Sequence, residues 1–224
     1  MRSASERLNR HFAACAAAAV VATAVTSGGA DAAIVYSGIK NIALPATAEG
    51  VYVDLITGAN GELPSSAPGW QINPWGTTGL RFGTNYPVPD TYFVGNGSNS
   101  SGGTAVNLAV GSTISFDGTS VNNASSMSTA YKWSFTGSAA AFGTAAGQWK
   151  LNSDNYLGVL SLEGDGSVLK AWVRVAVGST NLERTIVDWA YELDGGALTV
   201  GAVPAPGAAV LLALAGVMGR RRRD

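Results

Sequence analysis

An all-β fold, a β-sandwich of the jelly-roll or lectin-like kind, is what this sequence predicts, and three observations predict it. Glycine occurs 29 times in 224 residues, well above the usual share of about 7%. The hydrophobic residues, 46% of the chain, are mostly Ala and Val rather than Leu, and only 13% of residues are charged. Short stretches of period-two alternation recur between clusters of Gly, Pro, Asn and Ser, which supply turns. The length suits one main domain with one core.

The first element is a leader. Arg2, Arg7 and Arg10 precede an uncharged, Ala- and Val-rich stretch from Phe12 to Ala30, which runs into Ala30-Asp31-Ala32-Ala33. A charged start, an apolar middle and an A-x-A end are the three parts of a secretory signal peptide, here residues 1–32, cut after Ala32. Its alternatives are a buried Ala-rich helix or an uncleaved anchor. His11 and Cys15, the single His and the single Cys, both lie inside it. A chain that starts at Ala33 therefore excludes disulfides, Cys-bearing zinc sites, Cys nucleophiles and His-dependent triads.

The body, residues 33–201, carries seven basic against twelve acidic side chains, a net charge of −5, whereas the whole chain stands at −1. An acidic body argues against nucleic-acid partners, whose phosphates need a basic face. In its first half, strands are expected near Ile34 to Ser37, Val51 to Leu55, Leu80 to Gly83, Tyr92 to Val94, Val106 to Val110 and Thr113 to Phe116. The stretch "GNGSNSSGG" from Gly95 to Gly103 reads as a flexible polar loop.

In the second half, "YKWSF" places Tyr131, Trp133 and Phe135 on one face of a strand. A hairpin follows, Tyr156 to Glu163 and Val168 to Val177, joined through Gly164-Asp165-Gly166. Alternation in its second strand points Leu169, Ala171, Val173, Val175 and Val177 to the core, with Lys170, Trp172 and Arg174 outward or over an edge. Strands near Arg184 to Tyr191 and Ala197 to Val200 complete the set, separated by Asp194-Gly195-Gly196.

Three groups of side chains are candidates for chemistry. Glu163 and Asp165 could offer oxygens to Ca²⁺, but a hairpin turn with two acids falls short of six or more ligands; a solvated turn is the expectation. Asp188, Glu192 and Asp194 could include a carboxylate pair for glycoside hydrolysis, against the commoner reading of a polar strand face. Trp70 and Trp75, in "GWQINPWG", are the candidate carbohydrate contacts, because exposed aromatic rings stack on the apolar faces of sugars; the alternative is that they plug an open end of the fold. No cofactor and no metal site is expected.

The last element, residues 202–224, reads as an address. Val203-Pro204-Ala205-Pro206 is followed by thirteen uncharged residues, Gly207 to Gly219, and then by Arg220, Arg221, Arg222 and Arg223. As a helix the uncharged run spans about 20 Å, short of the roughly 30 Å hydrocarbon core; residues 203–206 lengthen it, and the arginines would stop on the cytoplasmic side. This tripartite tail resembles the PEP-CTERM sorting signal of Gram-negative bacterial exported proteins, with Ala205 where the usual motif carries Glu. The alternative is a simple membrane anchor. "LKAWVRVAVG" and "RTIVDWAYELDGGALTVGAVPAP" are also similar to a body type recurrent in that family, over about fifty residues. The resemblance implies an exported protein, not an enzyme: the substrate of an exosortase-type enzyme, inserted in the inner membrane through its C-terminal helix before processing. Its destination would be the cell envelope, the outer surface or the extracellular matrix, beside exopolysaccharide or another glycan, in a structural or adhesive role. The alternative class is a secreted carbohydrate-active protein, a lectin-like module or a glycoside hydrolase.

Overall fold

The computed structural model describes residues 34–84, 90–96, 104–116, 121–123, 129–132, 138–193 and 196–203. The leader 1–32, the YKWSF residues Trp133 and Phe135, Asp194, Pro204 to Pro206 and Arg220 to Arg223 lie outside the described residues. The fold is all-β, a curled open sheet. No helix among the described residues is long and apolar enough to cross a membrane.

Three long strands form the spine: β13 (Ser153–Leu162), β14 (Val168–Val177) and β15 (Arg184–Glu192), paired antiparallel in chain order. On one side of them the short strands β1 (Val35–Tyr36) and β2 (Ile42–Ala43) edge β15. On the other side β13 pairs with β7 (Asp90–Asn96), which also takes β11 (Thr129–Lys132). From β7 the sheet continues through β8 (Thr104–Ala105), β12 (Ser138–Ala140), β6 (Arg81–Thr84), β5 (Ile72–Trp75) and β3 (Tyr52–Val53) to β4 (Asn60–Gly61). Three further strands, β10 (Val121–Asn123), β9 (Thr113–Phe116) and β16 (Leu198–Thr199), make a small separate sheet.

The curl encloses the main core. Val53, Ile72, Leu80 and Phe82 from the β3–β6 segment belong to one buried cluster with Phe93, Leu157, Val159, Ala171, Val173, Val175, Ile186 and Trp189 from the spine side. Phe82 meets Phe93 with ring centroids 5.8 Å apart and Trp149 at 5.1 Å. Polar tips of the large rings fasten the curl: Trp189 Nε1 donates to the Leu55 carbonyl at 2.7 Å and Trp149 Nε1 to the Ala105 carbonyl at 2.8 Å. A buried indole so partnered leaves no donor stranded.

Most expected strands appear, several shifted at their ends. Thr113–Phe116 and Val168–Val177 match their expected bounds, but residues 106–110 are not a strand. Instead Val106 N–H donates to the Val94 carbonyl at 3.0 Å and Leu108 N–H to the Tyr156 carbonyl at 2.9 Å, so this stretch lies as a covering segment beside β7 and β13.

One expectation about β14 is overturned. Lys170 and Trp172 do not point outward; each is only 1% exposed. The physical reason is a second layer. Val94, Leu160, Trp172 and Ala190, on the face of the spine opposite the main core, pack against Leu108, Ile114, Leu198 and Val200. Gly158 permits the close approach: a β-carbon there would lie 2.6 Å from Val94 Cγ2 and 2.7 Å from Leu108 Cδ1. The spine is therefore buried on both faces along most of its length, as its run "YLGVLSL" of near-continuous hydrophobicity fits, with Asp154 and Arg174 at one end partly exposed.

Charge on that second face must be neutralised in place. Lys170 and Glu192, paired across β14 and β15, are fully buried with Nζ 2.7 Å from Oε2. Neither Glu192 oxygen completes a directed hydrogen bond, so the pair is held by charge. Removing one partner strands the other in the interior at a cost of about 3–5 kcal/mol, whereas replacing both with apolar residues is neutral or stabilising. Urea denaturation should accordingly place Lys170→Met below the parent protein by about 3–5 kcal/mol, and Lys170→Met/Glu192→Leu close to or above it; a double variant as unstable as the single would contradict this account.

Candidate functional site

The segment β3–β5–β6 has one face in the core and the other turned away from it. Register decides which side chains share that outer face. Val53 pairs with Ile72, Asn73 with Gly83 and Trp75 with Arg81. Val53, Ile72 and Phe82 are core residues, so Tyr52, Asn73, Gly83, Trp75 and Arg81 occupy the opposite alternation. Tyr52 then lies opposite Asn73, and Trp75 is its diagonal neighbour, about 7–8 Å away between equivalent positions.

Trp70 joins this face from the turn before β5. Its ring meets Tyr52 edge to face with centroids 4.9 Å apart. Arg81, exposed, rests its guanidinium over Trp75, 5.6 Å from the ring centroid. Tyr52, Trp70 and Trp75 are each half-buried. The floor between the two pairs is low, because Gly83 contributes no side chain and Asn73 is held down by a hydrogen bond from Nδ2 to the Glu49 carbonyl at 2.8 Å. Burial, and after it the Glu49 charge, raises the Tyr52 phenol above its ordinary range. The result is an aromatic ledge of Tyr52, Trp70 and Trp75, with Arg81 over Trp75. Sequence reasoning found Trp70 and Trp75 but missed Tyr52 and Arg81, whose placement depends on strand register.

The acidic candidates are distributed differently. Asp188 and Glu192 share a face of β15, as expected, but four residues along a strand separate them by about 13 Å, beyond the roughly 5–9.5 Å at which paired carboxylates act on a glycosidic bond. Each has its own cation. Asp188 accepts from Arg174 Nε at 2.9 Å and from the Tyr36 hydroxyl at 2.6 Å; Glu192 faces Lys170. The bond to Asp188 raises both Tyr36 and Arg174 above their ordinary values. Tyr156, Trp172 and Tyr36 stack beside this cluster, Trp172 at 5.8 Å from Tyr156 and 6.4 Å from Tyr36. An interruption of the β14–β15 register between Arg174 and Val175 lets Ile186 and Trp189 face the same core while Asp188 faces Arg174.

At the β13–β14 turn, Asp165 is exposed and accepts from Ser167 N–H at 2.9 Å. Glu163 is turned inward, 3.3 Å from Gln71 Nε2, while Gln71 Oε1 accepts from Leu55 N–H at 2.7 Å. Glu163 is half-buried, while Gly164, Asp165 and Gly166 are exposed, so the tip of the turn faces solvent. Among the described residues no three acids, His or Cys are grouped as metal ligands. An open recess of about 630 Å³ lies elsewhere, lined by Phe142, Gly143, Thr144, Lys150 and Leu151; it brings one charge and no acid. Comparison with family models, with curated proteins and with solved structures finds no match to this chain.

Burial raises the Glu163 carboxyl above the ordinary range, against lowering bonds from Ser161 and Gln71. The folded chain therefore keeps this proton to higher pH than the unfolded chain. The stability carried by the protonated form is complete below the unfolded value of about 4.3 and is lost as pH rises through the folded value. Glu163→Gln removes that loss. Urea midpoints measured from acid to neutral pH should show the variant gaining on the parent as pH rises; a constant difference would contradict the assignment.

Proposed function

We propose that this chain is an exported, non-enzymatic protein of the cell surface or extracellular matrix, and that its domain, a sandwich-like body of the jelly-roll or lectin-like kind, acts as a structural or adhesive unit toward a glycan. The observation that carries this reading is the ledge of Tyr52, Trp70, Trp75 and Arg81 on the outer face of β3–β5–β6. Half-buried aromatic rings gathered on one face, above a floor kept low by Gly83, suit contact with the apolar faces of sugar units.

The tail supports the same reading through the PEP-CTERM resemblance. Val200 N–H donates to the Ser112 carbonyl at 2.8 Å and Ala202 N–H to the Thr199 carbonyl at 3.1 Å, and Val203 is 47% exposed. The domain's hold on the chain therefore reaches to within a residue or two of the motif Val203-Pro204-Ala205-Pro206. Proline at two of its positions blocks helix and ladder hydrogen bonds, which favours an extended substrate. In this proposal an exosortase-type enzyme processes the motif, Arg220 to Arg223 hold the precursor in the inner membrane, and the processed body passes to the envelope or beyond it. A glycoside hydrolase finds less support, because Asp188 and Glu192 are each engaged by a cation and stand too far apart.

Protein should be recovered from its producing cells on beads coated with their own exopolysaccharide, and the captured chains weighed intact. The expected mass lacks the segment beyond residues 203–206, a loss abolished by Pro204→Ala/Pro206→Ala, and capture should fall at least about tenfold in Trp70→Ala/Trp75→Ala. Capture of chains that retain Arg223 would leave a simple membrane anchor; capture unaffected by loss of both rings would remove the ledge from the function.

A further inference from the structure

We infer that the glycan taken by the ledge is acidic, with a uronate-type carboxylate bound at Arg81 and the adjoining sugar ring on the Tyr52–Trp70 pair; this rests on the reading of the ledge as a glycan site. Two observations lead there. The Arg81 guanidinium has no carboxylate partner among the described residues, whereas the other arginines of the described body are engaged: Arg174 by Asp188 and Asp154, Arg184 by the backbone carbonyls of Asn181, Pro45 and Gly76. Arg81 is also held rather than loose, since it rests over the Trp75 ring while remaining exposed. Such a contact pre-orders a long side chain that would otherwise lose rotamer freedom on binding.

A planar guanidinium presents paired N–H donors that match the two oxygens of a carboxylate. A cation over Trp75, next to the Tyr52–Trp70 pair, fits an acidic unit followed by one whose ring meets the aromatic pair. In a body of net charge −5, binding an acidic polymer requires such a localised cation, because the overall field opposes it.

The test is titration of the protein, followed by tryptophan fluorescence, with three probes: a polyuronate, the same polymer with its carboxyls reduced to alcohols, and a neutral glucan. The polyuronate should bind at least about tenfold more tightly than its reduced form, as expected for loss of a charge-assisted hydrogen-bonded contact. Arg81→Gln should erase that preference, Arg81→Lys should restore part of it, and Lys150→Gln, a basic residue away from the ledge, should leave it unchanged. Equal affinity for polyuronate and reduced polymer, unmoved by Arg81→Gln, would overturn the acidic class while leaving the ledge a glycan site. Binding of none of the three probes would overturn both. Binding of polyuronate weakened as much by Lys150→Gln as by Arg81→Gln would show diffuse charge attraction and overturn the assigned contact.

Discussion

The structure depends on one constraint: β13, β14 and β15 are covered on both faces. A sheet with one wet face can leave polar side chains in water, but where this spine is covered its charged and amide side chains are paired inside, while the buried Trp172 Nε1–H is left without a partner. Lys170 meets Glu192 and Arg174 meets Asp188. Ser161 shares a hydrogen bond with Thr91 at 2.9 Å. Asn155, fully buried, accepts from Lys150 N–H at 2.7 Å and Asn107 Nδ2 at 3.0 Å and donates to two carbonyls. Its four bonds tie the start of β13 to the preceding turn and to the covering segment at 107. A one-residue slip of β13 against its neighbours would strand all of these at once, which makes the polar pairs a device for fixing register.

The remainder of the sheet works under the opposite condition. From β12 to β4 the strands are short and their inner face supplies Val53, Ile72 and Phe82 to the core, while the outer face of β3–β5–β6 carries the aromatic ledge. Stability and display are thus divided between two parts of one sheet. The rim is tied down by side chains reaching to backbone: Trp189 to Leu55, Asn73 to Glu49 and Arg184 to Pro45, so the ledge stands on a braced support rather than a loose loop. Arg184 illustrates the cost of such bracing, since burial lowers its affinity for the proton and its Nε finds no partner.

How much of this was legible depended on range. The β14 strand was read to its ends because Val168 to Val177 alternates cleanly and Gly166, with φ at +88°, terminates it. The core assignment of Leu169, Ala171, Val173, Val175 and Val177 followed from the same period. The second layer was not legible: alternation shows that Lys170 and Trp172 share a face, but only the distant Leu108, Ile114 and Leu198 decide that the face is covered. Likewise Trp70 and Trp75 announced themselves by residue type, whereas Tyr52 and Arg81 join them through pairings between strands about twenty and six residues away. A hint for the buried charges was present, since Asp188 and Glu192 sit at a spacing that matches Lys170 and Arg174 on a neighbouring strand, but it becomes a signal only once the pairing is known.

The account stands on the doubly covered spine, and native-state hydrogen exchange tests it most directly. Amides of Leu157 to Leu160, Ala171 to Val173 and Trp189 to Tyr191 should exchange most slowly and together, at the free energy of global unfolding, while those of β3 to β6 open more readily. Spine amides that exchange as fast as those of β3–β6, or that separate into independently opening strands, would contradict a spine enclosed on both faces.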